Sequence, residues 1–210
     1  MSEEPTRRGR GRPKTFDRGR TLEVAMNGYW REGLDAVSVN EICRRASISK
    51  PGLYREIGGE DQLLDAVLTR YVETVLGPMM EIFSEDRPFH QTLESLIEFT
   101  TRASTAEQPS GCLFVKMRTA RQQLGPVTGE HVDMLHEQLV EAYSRWLQAC
   151  AQRGDIELPA SLETTARYVD SQIALVLNRM ANGEDPGLVR DHANLAFAIL
   201  TSSATQRTTE

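Results

Sequence analysis

The sequence predicts an all-α protein in which a small N-terminal group of three helices is followed by a larger helical bundle. Apolar residues recur at three- and four-residue spacing along most of the chain, which is typical of amphipathic helices. No stretch alternates apolar and polar side chains as a half-buried strand would. Glycine and glycine–proline steps, which end helices, separate the periodic segments at Gly33, Gly58 to Gly59, Gly77 to Pro78 and Gly125 to Pro126.

Residues 1–16 are predicted to be a flexible basic arm, because they are rich in Gly, Arg and Pro and offer a core almost no apolar side chains. Within them, residues 10–14 (RGRPK) resemble the core of an AT-hook. A flat Gly-Pro backbone fits the narrow minor groove of A·T-rich DNA, where arginines follow the negative potential. Arg10, Arg12 and Lys14 are therefore predicted to contact DNA; the alternative is a basic tail that only keeps the protein soluble.

The first helix is predicted to run from Arg18 to Glu32 and to end at Gly33, which has the place of a C′ glycine. Its apolar residues lie on one stripe, which is expected to cover the back of the next two helices. The stripe contains Leu22, Ala25, Met26, Tyr29 and Trp30.

The stretch from Ser38 to Ile57 is predicted to form two short helices joined by a tight turn. Ser38 and Glu41 have the spacing of a capping box, and Ser49 can cap a second helix that carries Pro51 in its first turn. A short helix with a cationic and aromatic outer surface suits insertion into the major groove of DNA. The alternative is a solvated helical hairpin. The outward residues of the second helix are Lys50, Gly52, Tyr54 and Arg55.

A segment of about residues 17 to 70, which includes GYWREGLDAVSVNEICRRASISKPGLYREIGGEDQLLDAVL, resembles the N-terminal part of tetracycline-repressor (TetR) family regulators. The turn, the caps and the aromatic positions match the family pattern in register. The resemblance implies a helix-turn-helix DNA-binding domain over residues 17–66 and a C-terminal ligand-binding and dimerisation domain over residues 67–210. It also implies a repressor that a small-molecule effector releases from a double-stranded, palindromic operator.

The resemblance carries over nine DNA-contacting positions. Lys50 would donate to guanine O6 and N7, Tyr54 would serve a phosphate or a thymine methyl group, and the three arginines would contact the phosphate backbone. Glu56 and Glu60 stand where the family usually has an aromatic residue or histidine and a phosphate-binding lysine, so some phosphate anchoring must come from elsewhere. The nine positions are Asn40, Arg44, Arg45, Ser49, Lys50, Pro51, Gly52, Tyr54 and Arg55.

Six further helices are predicted. The first of them is long enough to belong to both the DNA-reading part and the bundle, which makes it the natural lever between them, and Gly77-Pro78 is expected to stop it. The six ranges are residues 60–76, 89–103, 112–123, 128–153, 162–182 and 186–201.

The last two helices are apolar over more than half of their circumference, which indicates burial on two sides. The resemblance implies that the second side is the partner subunit of a two-fold symmetric homodimer. Two reading heads about 34–36 Å apart would then meet successive major grooves. The predicted interface residues are Val169, Ile173, Val176, Leu177, Met180, Leu188, Leu195, Phe197 and Ile199.

The effector is expected to bind inside the C-terminal bundle and to tilt the lever helix. A buried Arg118 would suit an anionic effector, whereas the alternative for each predicted lining residue is a plain core position. In a second hypothesis, Cys112 is an electrophile or redox sensor, because a helix N-terminus and nearby Lys116 would stabilise its thiolate. The alternative is a small buried hydrophobe. The predicted pocket residues are Cys112, Phe114, Met117, Arg118, Tyr143, Trp146 and Gln172.

The net charge of the whole chain does not suggest DNA binding, but the distribution of charge along the chain does. The net charge is −6, yet residues 1–60 hold 12 Lys/Arg against 9 Asp/Glu, whereas residues 61–210 hold 12 against 21. A basic end on an acidic body orients the molecule on DNA. Three unpaired cysteines, and no signal peptide or membrane span, predict a cytoplasmic location. No metal or cofactor site is predicted, and the third hypothesis, an all-α enzyme, lacks a catalytic constellation.

Overall fold

The computed structural model describes residues 16–83, 87–105 and 109–201, and every regular element in these ranges is helical. The predicted all-α fold is confirmed. Arg10, Arg12 and Lys14 lie outside the described residues. The α-helices are α1 Arg18–Glu32, α2 Val39–Ala46, α3 Lys50–Glu56, α4 Glu60–Tyr71, α5 Gly77–Glu81, α6 Phe89–Thr100, α7 Leu113–Thr119, α8 Pro126–Arg153, α9 Leu162–Ala181 and α10 Pro186–Phe197.

Short polar residues set the beginnings of the first three helices. The side-chain oxygens of Asp17, Ser38 and Ser49 accept hydrogen bonds from the free backbone amides of α1, α2 and α3. At the end of α2, Ser47 takes the left-handed conformation with a φ of 57° and so forms the tight turn before α3. These local signals explain why the predicted bounds of the three helices agree with the structure.

The prediction that Gly77-Pro78 stops the fourth helix is wrong. After α4 the backbone forms a π-helical turn, Val72–Leu76, and then continues directly into α5, with Pro78 in its first turn. A proline inside an α-helix lacks the N–H for the bond to residue i−4, and its ring clashes with that carbonyl. The wider π turn just before Pro78 changes that spacing, so the helical path continues.

Helix α4 lies at the centre of the molecule, between α1 on one side and α8 on the other. Its inner residues Leu63, Val67 and Leu68 are fully buried. The ring of Tyr71 packs edge-on against the indole of Trp30 on α1, with 4.9 Å between the ring centroids. We call α1 to α3 the head and α5 to α10 the body; α4 is shared by the two.

Burial inside the subunit corrects the predicted dimer interface. Six of its nine residues are less than 9% exposed, because α9 and α10 pack against each other and against α6 and α8 of the same chain. Such side chains offer almost no surface to a second subunit. The six core residues are Val169, Ile173, Val176, Leu177, Met180 and Phe197.

The other three predicted interface residues, Leu188, Leu195 and Ile199, are exposed on α10 and the 3-10 turn that follows it. In the described residues, no helix is both long and apolar enough to cross a membrane.

Two left-handed glycines give a matched test of the packing between α7 and α9. Gly111 and Gly154 both have a φ of 81°. A methyl group on Gly111 would lie 2.6 Å from Cβ of Ala181, whereas nothing lies within 4 Å of the same position at Gly154.

We expect Gly154→Ala to lower the free energy of unfolding by about 1 kcal/mol through backbone strain alone. Gly111→Ala adds a clash, and overpacking costs about 1–3 kcal/mol more. Urea denaturation of the two variants measures the difference, and equal losses would contradict the close approach of α7 to α9.

Candidate DNA-binding surface and ligand sites

Helix α3 presents a compact surface that combines positive charge with an aromatic ring. Leu53 is fully buried and fixes the inner side of the helix, whereas Lys50, Pro51, Tyr54 and Arg55 are exposed. The Lys50 ammonium lies 5.5 Å from the centroid of the Tyr54 ring, within the range of a cation–π contact. Nothing in the described part of the body covers this surface, so these side chains are accessible to a double helix.

The other predicted DNA contacts lie on α2 and at the start of α3. They differ in whether their polar groups are already bound within the subunit. Asn40 and Ser49 are exposed, and Gly52 is half-buried with its amide donating to Ser49 Oγ at 3.1 Å. Arg44 is exposed, although its guanidinium is held by Glu41 at 2.7 and 2.8 Å. A phosphate would have to compete with that carboxylate for Arg44.

Arg45, a predicted phosphate contact, ties α2 to α1 in this structure. Its guanidinium is paired with Glu32 on α1 and with Glu41 on its own helix, the latter at 2.6 Å. Hydrogen bonds from Arg44 and Arg45 lower the pKa of Glu41 to about 2. Both carboxylates therefore stay ionised at neutral pH and keep Arg45 engaged.

The C-terminal end of α1 is fastened to the body by polar contacts with α7 and the loop before it. The Lys116 ammonium donates to the carbonyl of Trp30 at 2.6 Å, which places a cation at the negative end of α1. The Trp30 indole N–H donates to the Gly111 carbonyl at 3.3 Å. Burial lowers the pKa of Lys116. The head is thus attached to the body through α1 as well as through α4.

Cys112 is enclosed rather than activated. It occupies the N-cap position of α7, it is 5% exposed, and the hydroxyl of Tyr71 on α4 donates to its sulfur at 3.3 Å. Burial raises the pKa of Cys112 above its ordinary value, even though hydrogen bonds from Tyr71 and two amides act in the opposite direction. Lys116, the predicted stabiliser of a thiolate, is engaged with Trp30 instead. The thiol is therefore protonated at neutral pH.

Arg118 is already neutralised by the protein, which disfavours the predicted anionic effector at this position. Its guanidinium forms a bidentate pair with the buried carboxylate of Asp170 at 2.8 and 3.0 Å, and Nε2 of His136 lies 2.7 Å from the same guanidinium. The three side chains tie α7, α8 and α9 together. Arg118 and His136 border an open polar groove of about 370 Å³.

An aromatic cluster fills the centre of the body. Phe83 lies 5.3 Å from the rings of both Tyr143 and Trp146, and Phe89 stacks on Trp146 at 5.0 Å. The hydroxyl of Tyr143 and the indole N–H of Trp146 are buried, and within the described residues neither has a hydrogen-bond partner. Most buried polar groups in native proteins are paired. The Tyr143 hydroxyl and the Trp146 indole N–H are exceptions to this rule among the described residues.

An apolar cavity lies between α8 and the π turn Val72–Leu76 of the lever helix. It has a volume of about 140 Å³, close to that of an engineered apolar cavity that accommodates benzene. Leu139 on its wall is four residues before Tyr143, so the two share one face of α8. The cavity is lined by Val72, Leu76, Gly77, Met80, Phe114, Leu135, Gln138 and Leu139.

The structure separates the predicted pocket residues. Phe114 lines the apolar cavity, Arg118 borders the polar groove, and Cys112 lines a third cavity of only about 20 Å³. Met117, Tyr143 and Trp146 are core residues, and half-buried Gln172 lines none of these three spaces. The sequence signal for the cavity wall was weak, because residues such as Leu76 and Leu139 also fit an ordinary core.

A row of exposed apolar side chains marks the outer face of α9 and α10. Leu188 and Leu195 are seven residues apart on α10, Ile199 follows one turn later, and Leu175 is exposed on the neighbouring helix. Leu195 is the most exposed of these, at 76%. Leu175 was not among the predicted interface residues. Within the described ranges, no group of three His, Cys, Asp or Glu side chains is arranged to hold a metal ion.

Comparison with known proteins shows which proteins this chain is similar to. Residues 22–67 match the family described as bacterial regulatory proteins, tetR family. The chain is 26% identical over 169 residues to the HTH-type transcriptional repressor ComR of Escherichia coli, which covers 78% of each chain. It is 34% identical over 107 residues to the HTH-type transcriptional repressor BdcR of Escherichia coli, covering 50% of this chain and 54% of BdcR.

Among solved structures, a cysteine-substituted form of the TetR family transcriptional regulator CifR in complex with 26-base-pair operator DNA has the same fold. The TM-score is 0.75 at 17% sequence identity, over 90% of this chain and 100% of that one.

Proposed function

We propose that this DNA-binding transcriptional regulator of the TetR family is a homodimeric repressor that a small apolar effector releases from its operator. The single observation that carries DNA binding is the uncovered surface of α3, on which Lys50, Tyr54 and Arg55 are exposed around a buried anchor, Leu53. A helix that projects such side chains can read base edges in the major groove. We place its action in the cytoplasm.

Phosphate contacts are proposed to come from Arg55, from Arg44 once it exchanges Glu41 for a phosphate, and from the N-terminal Arg10, Arg12 and Lys14. Neutralising several phosphates releases counterions, which makes the affinity fall steeply with salt. A full-length protein and one that lacks residues 1–14 would differ in this salt dependence if the arm contacts DNA. We propose repression, not activation, because ComR and BdcR are both named repressors.

We expect Lys50→Ala to weaken binding by about 1–3 kcal/mol and to relax preference at one base position, because a base contact is lost. Arg55→Ala should weaken all sequences alike and reduce the salt slope by about 1. Fluorescence anisotropy on a duplex selected by the wild-type protein from a random library measures both effects. Arg145→Ala, which removes an exposed cation from α8, is the control; unchanged affinity for the two α3 variants would contradict the assignment.

We propose that the exposed row on α9 and α10 is the dimer interface. An apolar patch on a soluble surface is typical of an interaction site, and two-fold symmetry lets the same patch cover itself on a second copy. A dimer supplies two reading heads for a palindromic operator. The patch consists of Leu175, Leu188, Leu195 and Ile199.

Leu195→Glu should convert the dimer to monomers while the helical content is retained, because this side chain contacts almost nothing inside its own subunit. Loss of the second head should also reduce operator affinity by more than tenfold, since one dimer contributes two half-site contacts. Sedimentation velocity measures the assembly state. Met134→Glu, which places the same charge on an exposed apolar position of α8, should remain dimeric, and a dimeric Leu195→Glu would exclude this interface.

The effector is proposed to bind in the apolar cavity between the lever helix and α8. Its volume suits a molecule of roughly benzene size. One wall of the cavity belongs to the lever that leads to the head, so binding and operator affinity are linked. The observed burial of Cys112 favours this reversible ligand over the alternative of a cysteine sensor.

Filling the cavity should uncouple the effector from DNA binding. In a panel of small aromatic and branched aliphatic alcohols, an effective compound should weaken operator binding of the wild type by about 5–150-fold, the usual size of such linkage. Leu139→Trp should bind the operator and resist every compound, whereas Met134→Trp on the solvent side of α8 should respond normally. Release of Leu139→Trp at wild-type concentrations would contradict the site.

A further inference from the structure

Two helices that run in parallel, α4 and α8, begin side by side at the boundary between head and body. Contacts start at Asp61 and Thr128, near the beginnings of both helices, and continue toward the cavity between Leu76 and Leu139. Parallel helices bring two positive helix ends together. A negative group placed between them stabilises both ends.

Asp61 supplies that negative group. Its carboxylate accepts hydrogen bonds from the backbone amides of Val127 at 2.9 Å and of Thr128 at 3.0 Å. The Thr128 hydroxyl lies 2.6 Å from Asp61 Oδ1 and 2.8 Å from the Asp61 carbonyl oxygen. Burial of the carboxylate would raise its pKa, but the hydrogen bonds from Thr128 and Val127 outweigh this and hold the pKa of Asp61 below its ordinary value.

The N-terminus of α8 has no cap of its own. Its N-cap residue is Gly125, which has no side chain, and Pro126 has no N–H, so Val127 and Thr128 carry the free donors of the first turn. Asp61, which belongs to a helix 66 residues earlier in the chain, satisfies both. A methyl group on Gly125 would collide with the Asp61 carboxylate. The glycine is therefore required for the approach.

One turn further along, a second carboxylate repeats the contact. Asp65 lies four residues after Asp61, on the same face of α4, and its Oδ1 is 2.6 Å from Nδ1 of His131 on α8. The buried side chain of Thr128 is enclosed between the two helices. The polar contacts therefore form a continuous latch at the head end of α4, which we define as Asp61, Asp65, Gly125, Thr128 and His131.

We propose that Asp61 is a positioning residue for DNA recognition: by capping α8 from the first turn of α4, it fixes the angle at which the head is presented to DNA. This inference rests on the proposed DNA-binding function and names a residue that acts on it without touching DNA. Asp61 follows the last residue of α3, Glu56, by only five positions. A change in the direction of α4 at this point therefore changes the position of α3, which carries the predicted base contacts.

The latch also determines how a ligand in the proposed effector cavity would move α4 relative to α8. The cavity lies between α8 and the π turn Val72–Leu76 that continues α4, far from the latch. The latch holds α4 and α8 together beside the head. A ligand that widens the cavity therefore pivots the helices about a fixed end.

A head held at a fixed angle tolerates only one spacing between operator half-sites, and this property tests the proposal. Two base pairs inserted between half-sites rotate one half-site by about a fifth of a turn, since B-DNA has about 10–10.5 base pairs per turn. The measurement is the ratio of dissociation constants for inserted and parent duplexes, with the parent selected by the full-length wild-type protein. We expect a ratio of about tenfold or more for the wild type.

In Asp61→Ala the ratio should fall below about threefold, because a loosely attached head can follow a displaced half-site. Gly125→Ala should reproduce the effect by displacing the carboxylate, and Thr128→Val should do so partially while it keeps the shape of the side chain. Glu73→Ala removes an exposed carboxylate from the π turn that follows α4 and should keep the wild-type ratio. Far-UV circular dichroism confirms that each variant is folded.

A purely structural role would lower affinity for parent and inserted duplexes equally and leave the ratio unchanged. A wild-type ratio in both Asp61→Ala and Thr128→Val would therefore overturn the proposal, whatever their thermal stability. If the wild-type protein selected no duplex at all, the DNA-binding proposal itself would fail and this inference with it.

Discussion

The packing of α4 between α1 and α8 is the constraint on which the rest of the structure depends. A helix buried on two sides moves only if both neighbours adjust, because protein interiors are as closely packed as organic crystals. Tyr71 concentrates this constraint: its ring packs against Trp30 of the head while its hydroxyl contacts Cys112 of the body. The head therefore has no independent orientation, and its angle on DNA is a property of the whole subunit.

The charged contacts divide into those that hold the subunit together and those that are free for DNA. Arg45, Arg118 and Lys116 are engaged with partners on other helices and fix the positions of α2 and α7. Lys50 and Arg55 are exposed on α3, where Arg55 pairs with its chain neighbour Glu56 at 2.9 Å. This division explains how a protein of net charge −6 presents a cationic reading surface: arginines such as Arg45 and Arg118 are neutralised within the subunit, whereas the cations of α3 remain exposed.

The sequence was sufficient where the structural signal is local. Ser38 and Ser49 cap the helices that begin directly after them. The bounds of α2 and α3 and the exposure of Lys50 and Tyr54 therefore follow from short-range rules. It was insufficient where partners are distant along the chain. The wide apolar surface of α9 was predicted to face a second subunit, yet Val169 and Val176 are covered by helices of the same chain, and periodicity cannot distinguish these two burials. The Gly125-Pro126 start of α8, which lacks a capping side chain, is the one signal that an external cap such as Asp61 was needed.

The central claim, that two rigidly oriented heads meet successive major grooves, is tested most directly by hydroxyl-radical footprinting on the selected duplex. The account predicts two protected patches on one face of the DNA, related by a two-fold axis and centred about 10–10.5 base pairs apart. A single unphased region of protection, or two patches whose separation varies from one duplex to another, would contradict it.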